Sequence, residues 1–442
     1  MKVLVLGSGG REHAIVWALK KTSQQPIELY CAPGNAGIAQ FAECVPIPAK
    51  AHEPLVHFVR AKSIDLTVVG PEAPLAAGIV DEFERNGLAI VGPTRNASRL
   101  ESSKVFAKDF MSRHKIPTAE YRVAGSMTEA LQILRSGLFG SADERRVIKA
   151  DGLAAGKGVV VANSQAEAEQ AALMLISGEL AGLDAARQVV IEQALQGPEA
   201  SVLLFADGRD YTLMPAARDH KRIGEKDTGP NTGGMGAVTD VSVIDPETLE
   251  RIVREIVGPT LEGARAEGFP FRGVLFLGLM LTTDGPKLLE YNVRFGDPET
   301  QAILVRLRTS LLDIFDAIRS ERLGNIRVEW SDDSSACVVL ASQGYPANYE
   351  LGSRIEGLDG FAADEHVRIF HAGTSRSEQG YLVTAGGRVL GVTANDKTLE
   401  KALGRCYRAV DGIKWEGMQY RRDIGRFAET AVERGHPART GL

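Results

Sequence analysis

The chain has 442 residues, with 51 Lys and Arg against 57 Asp and Glu, a formal net charge of −6. That length exceeds one ordinary core and predicts two or three domains with clefts between them. Apolar residues at 44%, charged residues at 24% and aromatics at 6% are the balance of a packed α/β protein, and the acidic excess argues against a nucleic-acid surface.

The apolar start Met1–Gly7 is too short for a signal peptide or a membrane span, and no later run is long enough to cross a bilayer. Cys31, Cys44, Cys337 and Cys406 are widely spaced and form no CxxC, which argues against a zinc site or a disulfide framework and fits a reducing cytoplasm. We therefore expect a cytoplasmic protein acting on small molecules, with neither nucleic acid nor membrane as partner, and a monomer.

Up to about residue 100, short β-branched runs (Val3–Leu6, Ile27–Cys31, Leu66–Val69, Ala89–Val91) alternate with helical stretches, each run ending at Gly or Pro. This rhythm predicts a parallel sheet wound with helices. The loops Gly7–Glu12, Ala32–Gly37 and Gly70–Pro74 follow strands at the end where such sheets bind ligands, and they should face one crevice. Gly7-Ser8-Gly9-Gly10-Arg11 lets helix amides approach a phosphate, although a plain tight turn explains each glycine equally well. A dinucleotide fingerprint would put glycine at Glu12 and an acid after the second strand, where Tyr30-Cys31-Ala32 stands, so a dehydrogenase is disfavoured.

From about residue 101 an α+β unit is predicted, beginning with a helix Lys104–His114. Val147–Lys149 and Val159–Val161 flank a loop of small residues, Ala150–Gly158, which makes a β-hairpin flap and not a Walker loop. Gly152, Gly156 and Gly158 let its backbone lie over a triphosphate while Lys149 supplies charge. Val189–Leu195 reads as a buried strand whose edge groups suit an adenine, and a carboxylate such as Glu199 suits ribose hydroxyls, but taken alone Glu192 and Glu199 read as solvated acids. Ser201–Phe205, Asp207-Gly208 and Tyr211–Met214 predict a hairpin. Asp219–Gly236 reads as a long polar loop whose Lys221, Arg222 and Lys226 provide the local positive charge that the whole chain lacks.

The sharpest signal is Lys287–Thr300. Strand alternation predicts Glu290, Asn292 and Arg294 on one face, roughly 6.5–7 Å apart, and Leu289, Tyr291 and Val293 on the other. Glu290 and Asn292 are hard oxygen ligands suited to magnesium, with Arg294 beside them for an anion. Beyond about residue 325, strands Cys337–Ala341, Val367–His371 and Val389–Thr393 around a hairpin turn Gly386-Gly387, then a helix Lys397–Val410, predict a third, smaller domain and a frayed tail from Glu433. His13, His57 and His371 lack ligand spacing and read as structural.

Taken together, Gly9–His13, Lys149–Gly158, Gly229–Gly236 and Arg294–Gln301 closely resemble the phosphoribosylamine-glycine ligases (glycinamide ribonucleotide synthetases) of the ATP-grasp superfamily, over residues 1 to about 427. The resemblance implies a preATP-grasp domain (1–100), an ATP-grasp region (101–325, flap about 120–195), a small C-terminal α+β domain (326–427) and a tail (428–442). It implies ATP-dependent ligation of glycine to phosphoribosylamine through glycyl phosphate, in purine synthesis. ATP contacts would come from Lys104, Lys149, Gly152, Gly156, Lys157, Gly158, Glu192, Leu195 and Glu199. Magnesium or manganese would sit on Glu290 and Asn292. Phosphoribosylamine and glycine would meet Gly9, Gly10, Asn35, Glu72, Lys221, Asn231, Gly233 and Arg294. Arg294, Asp219, Asp297 and Lys149 would be the catalytic set, and activities fused to this enzyme elsewhere should be absent. The rival readings are another ATP-grasp ligase or carboxylase, a dehydrogenase, and a noncatalytic nucleotide sensor.

Overall fold

The computed structural model describes residues 1–154, 158–182, 185, 188–361 and 364–426. Gly156 and Lys157 of the expected flap, and the expected tail, lie outside those residues.

Strands β1 (Lys2–Gly7), β2 (Glu28–Pro33), β3 (Glu43–Cys44), β4 (Leu66–Val69) and β5 (Ile90–Val91) form a parallel sheet in the order β3-β2-β1-β4-β5. Val3–Leu6 is buried throughout because both faces are covered, as the unbroken apolar run requires. The three loops expected to share a crevice do converge. Gly34 N–H donates to Gly7 O at 3.0 Å, Gly70 N–H to Leu6 O at 3.0 Å, and Asn35 Nδ2 to Ser8 O at 2.8 Å.

Strands β6 (Tyr121–Ala124), β7 (Arg146–Ala150), β8 (Val159–Ala162) and β9 (Val189–Gln193) make a separate antiparallel sheet, β6-β9-β7-β8. In it β7 and β8 pair from Arg146↔Ala162 to Lys149↔Val159, so the expected flap hairpin is present. Because β9 lies between β6 and β7, Glu192 is interior to the sheet, and only the groups past Gln193 leave the ladder.

The remaining strands are β10 (Glu199–Asp207), β11 (Tyr211–Leu213), β12 (Ala217–Asp219), β13 (Arg222–Gly224), β14 (Thr228–Asn231), β15 (Gly236–Thr239), β16 (Arg272–Thr282), β17 (Gly285–Asn292), β18 (Ser334–Ala341), β19 (Val367–His371), β20 (Thr374–Arg376), β21 (Leu382–Thr384) and β22 (Arg388–Asp396). A nine-stranded antiparallel sheet runs β17-β16-β10-β12-β15-β18-β22-β19, with β11 paired to β10 in the expected hairpin. The C-terminal strands thus continue the central sheet, although they pack a core of their own with the helix Leu399–Gly412.

Three expectations are corrected. Asp219–Gly236 is largely a β13–β14 hairpin between sheet strands, held by its own ladder and by Thr232 N–H on Lys221 O at 2.7 Å. Gly386-Gly387 joins no hairpin: β21 pairs with β20 and β22 with β18 and β19, and the glycines instead turn a corner so tight that a Cβ on Gly373 would lie 2.5 Å from Gly386 Cα. On β17, a bulge opposite Gly278/Leu279 shifts the register, so the buried face carries Leu288, Tyr291 and Val293, and Leu289 is the extra residue.

Candidate active site

Lys104 opens the helix Lys104–Arg113, whose Ser103 cap accepts from Phe106 N–H at 3.1 Å and donates to Asp151 Oδ1 at 2.9 Å. The cap ties that helix to the root of the flap. Lys104 Nζ accordingly donates to Gly152 O at 3.1 Å, where Gly152 takes φ +131°, a conformation that a side chain would resist. Beside it, Lys149 Nζ reaches Glu192 Oε1 at 2.9 Å and Leu289 O at 3.1 Å, while Lys108 Nζ reaches Glu192 Oε2 at 3.0 Å. Glu192 is buried between two lysines, which corrects the solvated alternative. Burial, with Lys149 adding to it, pulls the Lys108 ammonium down to about 8. Lys108 was legible at i+4 from Lys104 on one helix face but had no motif to single it out.

Glu290, Asn292 and Arg294 do meet in space. Among the described residues the Glu290 carboxylate has no direct hydrogen bond or ion pair. Burial alone would raise its carboxyl; Lys221, Lys149, Lys104 and Arg294 outweigh that and hold it below the ordinary range. Asn292 Oδ1 accepts one bond, from Arg294 Nη2 at 3.0 Å, which leaves its second lone pair. An ionised carboxylate with no direct partner beside an amide oxygen fits a hard divalent cation, which needs only one or two protein oxygens when phosphate and water complete the shell.

Arg294 is shared between sites. Its guanidinium also lies 3.0 Å from Glu101 Oε1 and 3.4 Å from Glu72 Oε2, and Glu101 Oε2 accepts from Val293 N–H at 2.8 Å. Glu72, expected in the sheet-end crevice, is thereby joined to the strand expected to hold the metal. Glu101 carried no signal in the sequence; burial raises its carboxyl against the pull of Arg294.

In the crevice itself Glu12 explains the glycines. Its carboxylate accepts from Gly9 N–H at 2.6 Å and from Arg11 Nε at 2.6 Å, and a Cβ on Gly7 or Gly70 would strike the Glu12 side chain at 2.4 or 2.1 Å. So the first amide of the turn is already capped, and the glycines largely make room for a buried acid. Asp297 Oδ2 lies 3.5 Å from where a Gly9 Cβ would be, and a Gly10 Cβ would meet Gln301 Nε2 at 2.6 Å. Asn35 holds the crevice's far wall, donating to His371 O at 2.8 Å while its Oδ1 accepts from Gly37 and Ile38 N–H at 2.9 Å. His13 and His371 are buried there as packing residues, His13 Nδ1 accepting from His371 N–H at 2.8 Å.

Between the two clusters stand Lys221, Glu199, Asp219 and Glu299. Lys221 pairs closely with Glu199 at the start of β10 and is raised well above its usual value: burial lowers it, and Glu199, Asp219 and Glu290 more than compensate. Burial raises Asp219, with Glu199 adding to it. Glu299, unsuspected from sequence, is 4% exposed and pushed up to about 7 by burial and by Asp219. Leu195 is half-buried just past β9, Asn231 ends β14, and Gly233 is exposed at the following turn. Gly158 packs so close to Ala154 that a Cβ would sit 2.7 Å from it.

The chain matches three family descriptions in succession: the N domain of phosphoribosylglycinamide synthetase over residues 1–101, its ATP-grasp (A) domain over 102–300 and its C domain over 335–427. A phosphoribosylamine–glycine ligase of Caldanaerobacter subterraneus is 45% identical over 424 residues, covering 96% of this chain and 99% of that one. The crystal structure of a phosphoribosylamine–glycine ligase from Thermotoga maritima superposes with a TM-score of 0.82 at 36% identity, covering 96% of this chain and 100% of the other. The biotin carboxylase domain of a Hydrogenobacter thermophilus 2-oxoglutarate carboxylase, at 15% identity, 97% and 96% coverage and a TM-score of 0.70, shares the fold alone. With the lysine-lined flap, the Glu290–Asn292–Arg294 strand and these matches all on one chain, it belongs to the phosphoribosylamine–glycine ligase (phosphoribosylglycinamide synthetase) family.

Proposed function

We propose that this chain ligates glycine to phosphoribosylamine with ATP, giving glycinamide ribonucleotide, ADP and phosphate through glycyl phosphate, as a step of purine synthesis. The observation that carries the reading is the Glu290 carboxylate, unpaired among the described residues yet facing Lys104, Lys149, Lys221 and Arg294 from four separate segments. Such a focus of positive charge around one free acid suits a metal-bound polyphosphate.

In this reading Lys104 and Lys149 hold phosphate oxygens beneath the backbone of Gly152 and Gly158, and Gly156 and Lys157 are further ATP contacts. Glu192 fixes Lys149 in place, Leu195 presents backbone groups to the adenine past the end of β9, and Glu199 holds the ribose. Glu290 and Asn292 would hold magnesium or manganese, which neutralises phosphate oxygens when bound. The glycine carboxylate attacks the γ-phosphate; Arg294 orients that anion, and Asp219 or Asp297 receives the ammonium group. The amine of phosphoribosylamine, lying along Gly9, Gly10, Asn35 and Glu72 with Lys221, Asn231 and Gly233 at its margin, then attacks the acyl carbon and expels phosphate. Positioning and charge neutralisation are the protein's contribution, and flap closure keeps water from the acyl phosphate. No described helix is long and apolar enough to cross a membrane; we assign the chain to the cytoplasm, as a monomer.

An ADP-release assay tests this directly. Turnover is expected only when ATP, glycine, phosphoribosylamine and a divalent metal are all present, and sustained ADP formation without glycine would exclude the reaction.

A further inference from the structure

Arg388, the first residue of β22, belongs to the C-terminal segment yet reaches into the crevice. Its Nη1 donates to Gly233 O at 2.5 Å and to Asp297 O at 2.7 Å, and its Nη2 lies 3.0 Å from Asp297 Oδ2. Gly233 N–H donates in turn to Tyr345 Oη at 3.0 Å, and Gln301 Nε2 secures Asp297 Oδ1 at 2.8 Å. The Gly373/Gly386 corner aims this arginine, and a Cβ on Gly387 would strike the Tyr345 ring at 2.3 Å. One guanidinium therefore ties the turn after β14 to the segment after β17, and its carboxylate partner stands next to Gly9. Asp297 is the charge that acts most strongly on Arg388, with Arg11 and Glu299 contributing further and the Tyr345 hydroxyl beside them.

A planar fork suits this arrangement because three acceptors lie in two directions; a lysine ammonium at the same place cannot hold all of them in one plane. We propose that Arg388 is a positioning residue for the amine substrate, holding the Asp297 carboxylate and the Gly233-Gly234 turn in the shape that receives phosphoribosylamine. It makes the C-terminal segment a working part of the crevice as well as an extension of the sheet. This rests on the function proposed above.

The test uses full-length Arg388→Lys and Arg388→Met, with ATP, glycine and phosphoribosylamine each varied in turn. The KM for phosphoribosylamine is expected to rise about tenfold or more in Arg388→Met, the scale of a lost charge-assisted hydrogen bond, and by less in Arg388→Lys. The KM for ATP should stay at the parent value, and that for glycine should rise by less than that for the amine, through Asp297. Parallel changes in all three KM values, or an unchanged KM for the amine, would overturn the proposal. Should Arg388→Met not fold, Arg388→Lys carries the same comparison. Failure of the unsubstituted chain to consume phosphoribosylamine would instead sink the underlying function, so the two failures are distinguishable.

Discussion

The lysine face beneath the β7–β8 flap and the arginine crevice at the head of the helix Gly10–Thr22 hold comparable numbers of charges but are closed to different degrees. In the crevice each guanidinium is already engaged: Arg11 with Glu12 and Phe295 O, Arg294 with Glu72, Glu101 and Asn292, Arg388 with Asp297 and Gly233 O. On the flap side Lys108 and Lys149 share Glu192, but among the described residues Lys104 makes one bond, to a carbonyl, and the Glu290 carboxylate makes none. A guanidinium that donates in a plane can build geometry before any ligand arrives, whereas an ammonium is a mobile point charge awaiting one. The crevice is accordingly preorganised, and the flap face is where ATP and metal have most to contribute.

The largest break in that contrast comes from Glu290→Gln. It keeps the shape of β17 but removes the carboxylate on which four cations act, and turnover should fall about a hundredfold or more, a loss of ~3–4 kcal/mol typical of a charge-stabilising group. The unfolding midpoint should hardly move. Activity near the parent level at saturating magnesium would mean that the lysine face does not bind the metal-nucleotide at all. Of similar size, but on stability, is Glu192→Leu, which leaves Lys108 and Lys149 buried without their shared acid. Breaking such a pair by removing one partner costs about 3–5 kcal/mol, readable by denaturant titration. That cost should ease as the pH rises, because Lys108, already near 8 in the parent, then gives up its proton. A Glu72→Gln substitution should cost clearly less, since Arg294 keeps Glu101; equal losses would erase the distinction between the two regions.

How far the sequence reveals this follows the range of the interactions. Local pattern was enough for the parallel sheet, the flap hairpin and the face that gathers Glu290, Asn292 and Arg294, because alternation and turn chemistry act over a few residues. It misassigned Leu289 because a bulge in the β16–β17 ladder is set by the partner strand, with Gly278 opposite Glu290 and Leu279 opposite Leu288. Glu192 read as solvated because Lys108, 84 residues earlier in the chain (192 − 108), is what closes over it. Arg388 and Glu101 were invisible for the same reason: nothing near them in sequence names Asp297 or Arg294 as partners. The glycines at 7 and 70 carried a true signal with a different cause, since the crowding they relieve comes from the Glu12 side chain and not from a ligand.

The smallest expected effect probes the seam where the two regions touch. Glu299 faces Asp219, Arg294 and Lys221, and burial together with Asp219 raises its carboxyl from the ordinary 4.5 to about 7 against the pull of the two cations. A folded value above the unfolded one means that the folded state holds the proton more tightly. Its contribution to stability is therefore complete below about pH 4.5 and disappears as the pH climbs through 7. Glu299→Gln removes the titration, so the variant's unfolding midpoint should gain on the parent's across that interval and then run parallel to it, by a few degrees at most for a chain of this size. A difference that stays flat from pH 4.5 to 8 would show that Arg294 or Lys221 keeps Glu299 ionised in the fold. The seam would then be closed by ion pairing like the arginine crevice, and the contrast between the regions would end at β17 and not at the helix Glu299–Leu304.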